Sequence, residues 1–174
     1  GFVVIQTAGD ISNFFSNIWP ISFFSFEDLR LFFSLVLIAI SCIIMGAGIP
    51  TTATYIILVA VAAPALAQLG IEPLVAHFFV FYYGVLADIT PPVALAAYAA
   101  AGIAGSNPFT TGNTAFRLGI AKALVPFVFV YSPSLLLVAQ GFNFYDFFVT
   151  LISAMIGIGL IGISFPGSLF KSIS

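Results

Sequence analysis

Charged residues are scarce in this chain of 174 residues, at 6% against the about 25% typical of globular proteins. Hydrophobic residues make up 61%, and the mean hydropathy is +1.21. A soluble fold of this size needs polar groups over its surface, and four basic and six acidic residues cannot cover it. The composition therefore predicts a protein that lies in a lipid bilayer.

Basic residues, cysteine and histidine are also few. The net charge of -2 leaves no basic patch for nucleic acid. Cys42 is the only cysteine, which excludes an internal disulfide and a cysteine metal cluster, and a single histidine, His77, argues against a zinc enzyme. The chain also has no Gly-x-Ser-x-Gly turn and no His-Glu-x-x-His sequence. We therefore expect no catalytic residues, no cofactor and no enzyme activity.

The first residues do not form a secretory signal, because they have no basic region. The chain starts with glycine instead of methionine and stops just past an apolar segment, so we expect a fragment of a longer membrane polypeptide. Gly1–Ala8 is predicted to be the tail of a helix that ends at Asp10. Ser12–Phe26, rich in Phe, Ser and Asn, is typical of an interfacial loop. Residues 1–26 thus comprise the end of a helix and a loop.

A run without charge extends from Leu31 to Ile71, and as one helix it would measure roughly 60 Å, about twice the hydrocarbon thickness. Within it, two glycines and a proline in Gly46–Thr52 predict the end of one helix and the start of another. Two full spans joined at the surface would fit, and so would a re-entrant hairpin with its tip inside the membrane. Charges flank both ends, at Glu27 and Glu72, and are absent from the turn. This favours a re-entrant hairpin over residues 27–72 with its tip at 46–52.

A second interruption lies within residues 73–104, which are too long for one untilted span. Asp88 is followed there by Thr90 and two prolines, Pro91 and Pro92. The prolines remove two backbone donors, so nearby carbonyls lose their helical partners and must line a cavity or face protein. We predict a broken transmembrane helix. Asp88 indicates a cation site, because an ionisable group in mid-membrane is costly without a partner; the alternative is a water-filled edge or a helix cap.

Two further segments complete the chain. Residues 105–140 are predicted to be a loop and a transmembrane helix: the loop-like composition extends over Gly102–Asn113, and the span runs from Phe116 to about Gln140. Residues 141–174 contain a turn at Asn143–Asp146, a final span over Phe147–Ser164 and a tail. We expect His77 and the tyrosines in the apolar segments to be packing or interfacial residues.

The tip and the break offer complementary chemistry. At the tip, one helix ends with unpaired carbonyls, which suit a cation, and the next begins with free N–H groups, which suit a carboxylate. Thr51 and Thr52 add hydroxyls that either ligand can use. Two interrupted helices in succession are typical of secondary transporters. The rival interpretation is a non-transporting polytopic membrane protein, a channel or assembly scaffold component, in which the interruptions only help helices to pack.

The two interruptions also resemble a known family. Gly46-Ala47-Gly48-Ile49-Pro50-Thr51-Thr52-Ala53 and Thr90-Pro91-Pro92-Val93-Ala94, in this order and spacing, resemble the large or fused permease subunit of tripartite ATP-independent periplasmic (TRAP) transporters. The resemblance covers Gly46–Leu137. It implies an all-α membrane protein of the ion transporter superfamily, with an elevator-type mechanism. The chain would supply the second repeat of the transport module, with a re-entrant hairpin and a broken transmembrane helix, and would not transport by itself.

The resemblance further implies sodium symport of an organic acid delivered by a periplasmic binding protein. The permease would be a multi-pass protein of the bacterial or archaeal cytoplasmic (inner) membrane and would require the small membrane subunit or its fused equivalent. Carried onto this sequence, the resemblance places substrate at Thr51, Thr52 and Thr90. It places the sodium ion at residues of the tip and the break: Gly46, Gly48, Pro50, Thr51, Thr52, Asp88, Ile89, Thr90 and Pro91.

Overall fold

The structure is a computed structural model that describes residues 2–18, 26–137 and 142–164. Those residues form α-helices, two short 3-10 helices and turns, and no β-strand occurs among them. The 3-10 helices are Ile120–Leu124 and Pro133–Leu135. The α-helices, in chain order, are α1 Phe2–Ile18, α2 Phe26–Gly46, α3 Thr51–Gln68, α4 Pro73–Ala87, α5 Leu95–Ala104, α6 Pro108–Gly119, α7 Val125–Tyr131 and α8 Phe144–Ser164.

Several helical segments are long and apolar enough to cross a membrane. They are Glu27–Gly46, Thr51–Gln68, Pro108–Tyr131 and Phe144–Gly162. The helices α4 and α5 are apolar but shorter. The prediction of an all-α membrane protein is therefore confirmed. That the turn between α2 and α3 lies inside the bilayer, as a re-entrant hairpin requires, stays a prediction.

The core of the structure lies between α2, α3 and α4, and α1 packs on α2. Leu35 of α2, Leu58 of α3 and Phe79 of α4 are all fully buried there. Lipid tails are as apolar as these side chains, so their burial holds the helices together through close packing more than through removal from water. This core sets the relative positions of the turn after α2 and the end of α4.

The second half of the chain wraps the end of α4. The hydroxyl of Tyr83, on α4, donates to the carbonyl of Ala123 in the 3-10 helix Ile120–Leu124. Gly119 at the end of α6 lies against Ile89, just past the end of α4. By contrast, no described residue of α8 is buried, and its exposed side chains are mostly apolar, which suits contact with lipid or other membrane segments.

The first helix is longer than predicted. It continues past Asp10 to Ile18, so the first part of the expected loop over Ser12–Phe26 is helical. Ser12 fits mid-helix because its buried hydroxyl donates to the carbonyl of Ala8 at 2.8 Å. Residues 19–25 of the predicted loop lie outside the described residues.

The loop predicted for Gly102–Asn113 is shorter in the structure, because α5 runs to Ala104 and α6 starts at Pro108. Asn107 caps α6 by accepting the N–H of Thr110 at 3.0 Å, so the polar residues are a helix start. The next span likewise begins before Phe116 and its helix ends at Tyr131; residues 138–140 of the prediction are not among those described.

The turn predicted at Asn143–Asp146 is also shorter than expected. Helix α8 already begins at Phe144, and the side-chain oxygen of Asn143 accepts the N–H of Tyr145 at 3.0 Å. A polar cap therefore accounts for the turn-like composition before the last helix.

Candidate functional site

The tip between α2 and α3 reverses the chain within a few residues. Helix α2 ends at Gly46, whose carbonyl accepts the N–H of Ile49 at 3.3 Å. Gly48 has a φ of +85°, a backbone conformation that side chains disfavour. Pro50 then precedes α3, and its carbonyl accepts the N–H of Thr54 at 3.0 Å. Glycine and proline thus each have a defined backbone task in this turn.

Gly46 also permits close packing of the tip against α4. A Cβ atom at Gly46 would stand 2.9 Å from the Cβ of Ala87 and 2.9 Å from the Cγ2 of Thr54, closer than real Cβ atoms pack. Gly84, on α4, also faces the Thr54 methyl group, since a Cβ at Gly84 would stand 3.3 Å from it. The missing side chains at both glycines therefore let α2, α3 and α4 converge.

The break between α4 and α5 begins where α4 ends at Ala87. The prolines at 91 and 92, joined by a cis peptide bond, cannot donate, and the chain returns to helix after Ala94. Two backbone hydrogen bonds bridge the break: the N–H of Ala94 donates to the carbonyl of Thr90 at 3.2 Å, and the N–H of Ala96 donates to the backbone carbonyl of Asp88 at 3.0 Å. Backbone hydrogen bonds therefore connect the two ends of the break.

The tip and the break lie against each other. The hydroxyl of Thr51, the first residue of α3, donates to the Oδ2 atom of Asp88 at 2.7 Å. On the other side of the tip, a Cβ at Gly48 would stand 3.3 Å from the Cγ1 of Val93. Residues about forty positions apart in sequence thus form one site, and the tertiary fold places Thr51 next to the ionisable residue singled out in the break.

Oxygen atoms without hydrogen-bond partners lie on both sides of this contact. Within the described ranges, no N–H or hydroxyl donates to the carbonyls of Gly48, Ile89 or Pro91. Asp88 is half-buried and forms no ion pair with any described basic residue. Hard cations prefer oxygen ligands. Unpaired carbonyls near a carboxylate that has no counter-charge are therefore a ligand set that suits such a cation.

Donors without acceptors lie at the start of α3. No described group accepts the N–H groups of Thr51, Thr52 and Ala53, and Pro50 before them provides no side-chain cap. Free N–H groups in the first turn, together with the helix dipole, attract an anion such as a carboxylate. The site therefore combines cation-attracting oxygens with anion-attracting amides.

The other predicted ligands differ in hydrogen bonding and exposure. The carbonyls of Gly46 and Pro50 already accept backbone hydrogen bonds. The Thr90 hydroxyl donates to the carbonyl of Leu86 at 2.7 Å and so turns back onto α4. Thr52 is exposed beside the tip. The binding roles predicted for these residues stay predictions.

Two hydroxyl residues of the site were not predicted. Thr54 is buried and donates to the carbonyl of Ile49 at 3.1 Å, and Tyr98 of α5 donates to the carbonyl of Pro92 at 2.6 Å. The sequence places each in the first turns of a helix that follows an interruption, which is the only signal for them. His77, expected to be a packing residue, lies apart from these contacts and pairs with the hydroxyl of Tyr55 at 2.7 Å.

The described residues offer no cluster of metal-binding side chains to this site. No group of three or more His, Cys, Asp or Glu residues that could hold a metal ion occurs in the part of the chain that the structure describes. A cation at this site would depend on backbone oxygens with Asp88 and Thr51 nearby, and such oxygen ligands suit a hard ion and not zinc.

Comparison with known proteins agrees with the resemblance seen in the motifs. The sequence model described as the tripartite ATP-independent periplasmic transporter, DctM component, matches residues 10–144, which is more than half of the chain and includes both the tip and the break. No curated protein and no solved structure matches the chain. The chain belongs to the DctM component family of TRAP transporters, a family of membrane permeases and not of enzymes.

Proposed function

We propose that this permease couples the import of an organic acid to the inward movement of sodium. The observation that carries the proposal is the hydrogen bond of 2.7 Å from the Thr51 hydroxyl to the Asp88 carboxylate. It joins the tip of one interrupted element to the break of the other. Secondary transporters bind their coupling ions and substrates where the ends of interrupted helices meet.

The sodium ion would lie between the tip and the break. The unpaired carbonyls of Gly48, Ile89 and Pro91 are candidate ligands, and the carboxylate of Asp88 supplies negative charge beside them. Carbonyls such as that of Gly46 retain a second lone pair, so an existing hydrogen bond does not prevent coordination. When bound, the ion would offset the charge of Asp88, which is costly to leave unbalanced in an apolar environment.

The organic acid would bind at the start of α3 through its carboxylate. The unpaired N–H groups of Thr51, Thr52 and Ala53 and the exposed hydroxyl of Thr52 support this, and Thr90 lies close by in the break. The substrate carboxylate and Asp88 would then both lie beside the tip and repel each other. A sodium ion near both would reduce that repulsion, so each ligand would bind more tightly in the presence of the other.

Membership of the DctM family supports the remaining parts of the proposal. A periplasmic binding protein would deliver the organic acid, and the small membrane subunit or its fused equivalent would complete the permease. Helices α2 to α5 would move together with the bound ligands across the cytoplasmic membrane of a bacterium or archaeon, in an elevator-type mechanism.

The proposal is tested with the complete transporter reconstituted in liposomes together with its binding protein. A panel of mono- and dicarboxylic acids is first screened for acids that raise the melting temperature of the binding protein. Uptake of a radiolabelled acid from that screen is then measured under an inward gradient of sodium or of choline. We expect uptake with sodium only, and equal uptake with choline would contradict sodium coupling.

Asp88→Asn tests the cation site itself. Asparagine keeps an acceptor for the Thr51 hydroxyl but removes the charge, so we expect the sodium concentration that half-saturates thermal stabilisation of the transporter to rise on the order of tenfold or more. Asp146→Asn is the matched control, since Asp146 is exposed at the start of α8. An unchanged sodium curve for Asp88→Asn would remove Asp88 from the proposed site.

A further inference from the structure

After each of the two interruptions, the next helix contains a side chain whose hydroxyl donates to a carbonyl of that interruption. Thr54, on α3, donates to the carbonyl of Ile49 in the tip at 3.1 Å. Tyr98, on α5, donates to the carbonyl of Pro92 in the break at 2.6 Å. The two residues differ in type and in spacing from their acceptors, yet both hold one carbonyl of an irregular segment. We call Thr54 and Tyr98 the hydroxyl anchors.

Packing holds the first anchor in one orientation. The Thr54 side chain is 1% exposed, and its methyl group fills the space left by the missing side chains of Gly46 and Gly84. A β-branched side chain confined on its methyl side cannot change rotamer without leaving that space. Its hydroxyl is therefore fixed toward Ile49.

The second anchor is held by α6. The ring of Tyr98 lies over Gly112, where a Cβ atom would stand 2.7 Å from the Cε1 atom of the ring. A glycine at 112 thus provides the space in which the ring lies while its hydroxyl reaches Pro92. Helix α6, which has no residue in the predicted ligand set, therefore helps to fix the shape of the break.

The anchored carbonyls are direct neighbours of unpaired ones. Ile49 follows Gly48, and Pro92 follows Pro91, whose carbonyls accept no hydrogen bond from the described residues. Peptide units are planar, so neighbouring units rotate only about the bonds of the Cα atom that they share. An anchor on one carbonyl therefore restricts the direction of the carbonyl just before it in the chain.

We propose that Thr54 and Tyr98 are positioning residues for the cation site, which they serve through the carbonyls of Gly48 and Pro91 without binding the ion. The inference rests on the proposed function. It extends the site to side chains that do not contact the ion and to the glycines that accommodate them.

The test compares variants of the complete transporter, with sodium chloride alone as the probe and choline chloride as the reference salt. Thr54→Val keeps the side-chain shape and removes the hydroxyl, and Tyr98→Phe does the same for the second anchor. We expect each to raise the half-saturating sodium concentration for thermal stabilisation roughly fivefold, as loss of one ordering hydrogen bond predicts. Thr54→Ser keeps the hydroxyl but loses the methyl group that holds it in place, so its value should lie between those of Thr54→Val and the wild type.

Tyr55→Phe is the matched control, because it removes a tyrosine hydroxyl whose partner, His77, lies outside the site. Its half-saturating sodium concentration should not change. Gly112→Ala provides a second route to the break, since the added methyl group displaces the Tyr98 ring while both hydroxyls remain. Gly112→Ala should raise the half-saturating sodium concentration as Tyr98→Phe does. If one of these two variants is too unstable to measure, the other still tests the second anchor.

The possible outcomes distinguish a failure of the hydroxyl anchors from a failure of the proposed function. A wild-type transporter stabilised by sodium, with unchanged half-saturation in Thr54→Val and Tyr98→Phe, would overturn the anchors and leave the proposed function intact. An equal rise in Tyr55→Phe would also overturn them, because the effect would then be general. A wild-type transporter that does not respond to sodium would overturn the proposed function and the anchors together.

Discussion

The tip and the break interrupt their helices by opposite means. At the tip, Gly46 and Gly48 allow the chain to reverse because they lack side chains, one at a close contact and one at a positive φ. At the break, Pro91 and Pro92 interrupt the helix because they lack N–H groups. The tip therefore depends on the absence of bulk, and the break depends on the absence of donors.

The difference decides what each segment can tolerate. Around the break, every second carbonyl accepts a hydrogen bond. The backbone carbonyls of Asp88 and Pro92 accept from residues of α5, and the carbonyl of Thr90 accepts from the residue just before α5. At the tip, the constraint is steric, because Gly46 faces Ala87. We expect added donors to damage the break most and added methyl groups to damage the tip most.

The largest effect is expected from the double variant Pro91→Ala with Pro92→Ala. Each change from proline to alanine restores an N–H, relieves the clash of the ring and removes a penalty of about 3 kcal/mol against helix. The segment should therefore approach a continuous helix and pair its carbonyls internally. The half-saturating sodium concentration for thermal stabilisation should rise by more than about tenfold. Pro64→Ala, within α3, removes a helical proline outside the site and is the control. Unchanged sodium affinity in the double variant would refute the role of the break.

Gly46→Ala should have the next largest effect, and it acts on stability. The new methyl group would overlap Ala87 and Thr54, so we expect a loss of about 1–3 kcal/mol in the free energy of unfolding. Thermal unfolding in choline measures this without the ion. Gly102→Ala, on α5, has open space around the new methyl group and should be neutral or stabilising. If Gly46→Ala were as stable as Gly102→Ala, the steric description of the tip would be wrong.

The smallest effect is expected from Thr51→Val, which removes the hydrogen bond that joins the tip to the break. The half-saturating sodium concentration should rise roughly fivefold, because one hydroxyl bond to a carboxylate is lost while the packing is retained. Thr7→Val is the control for sodium affinity, since the hydroxyl of Thr7 donates to the carbonyl of Val3 within α1 and Thr7 is not in the predicted ligand set. Equal sodium curves for both variants would show that the tip–break bond does not contribute.

Much of the fold could be predicted because its signals are local. The composition predicted a helical membrane protein, and the glycines and prolines marked the points at which the helices end. The predicted helix boundaries were wrong where a polar segment leads into the next helix. Asn107 and Asn143 were assigned to loops, yet both accept N–H groups at the start of a helix. A polar residue before a helix and one within a loop have the same composition, and only the backbone geometry distinguishes them.

The candidate site was predictable in its location but not in its bonding. Thr51, Thr52 and Thr90 are the same residue type and all lie at an interruption. In the structure, however, the Thr51 hydroxyl donates to the Asp88 carboxylate, the Thr90 hydroxyl donates to the carbonyl of Leu86, and Thr52 is exposed. Thr54 and Tyr98 carried no strong sequence signal. Which acceptor a hydroxyl can reach depends on the directions of the nearby carbonyls. Those directions depend on the complete backbone path of the irregular segment.

The amino-acid sequence by itself determined that the chain is a helical membrane protein, where its helices are interrupted and which family it belongs to, since apolar content, glycine and proline act on the backbone wherever they occur. Only the tertiary structure decided that Thr51 reaches Asp88 and that Gly112 makes room for Tyr98. These contacts join separate helices, and their formation depends on how the helices pack in three dimensions.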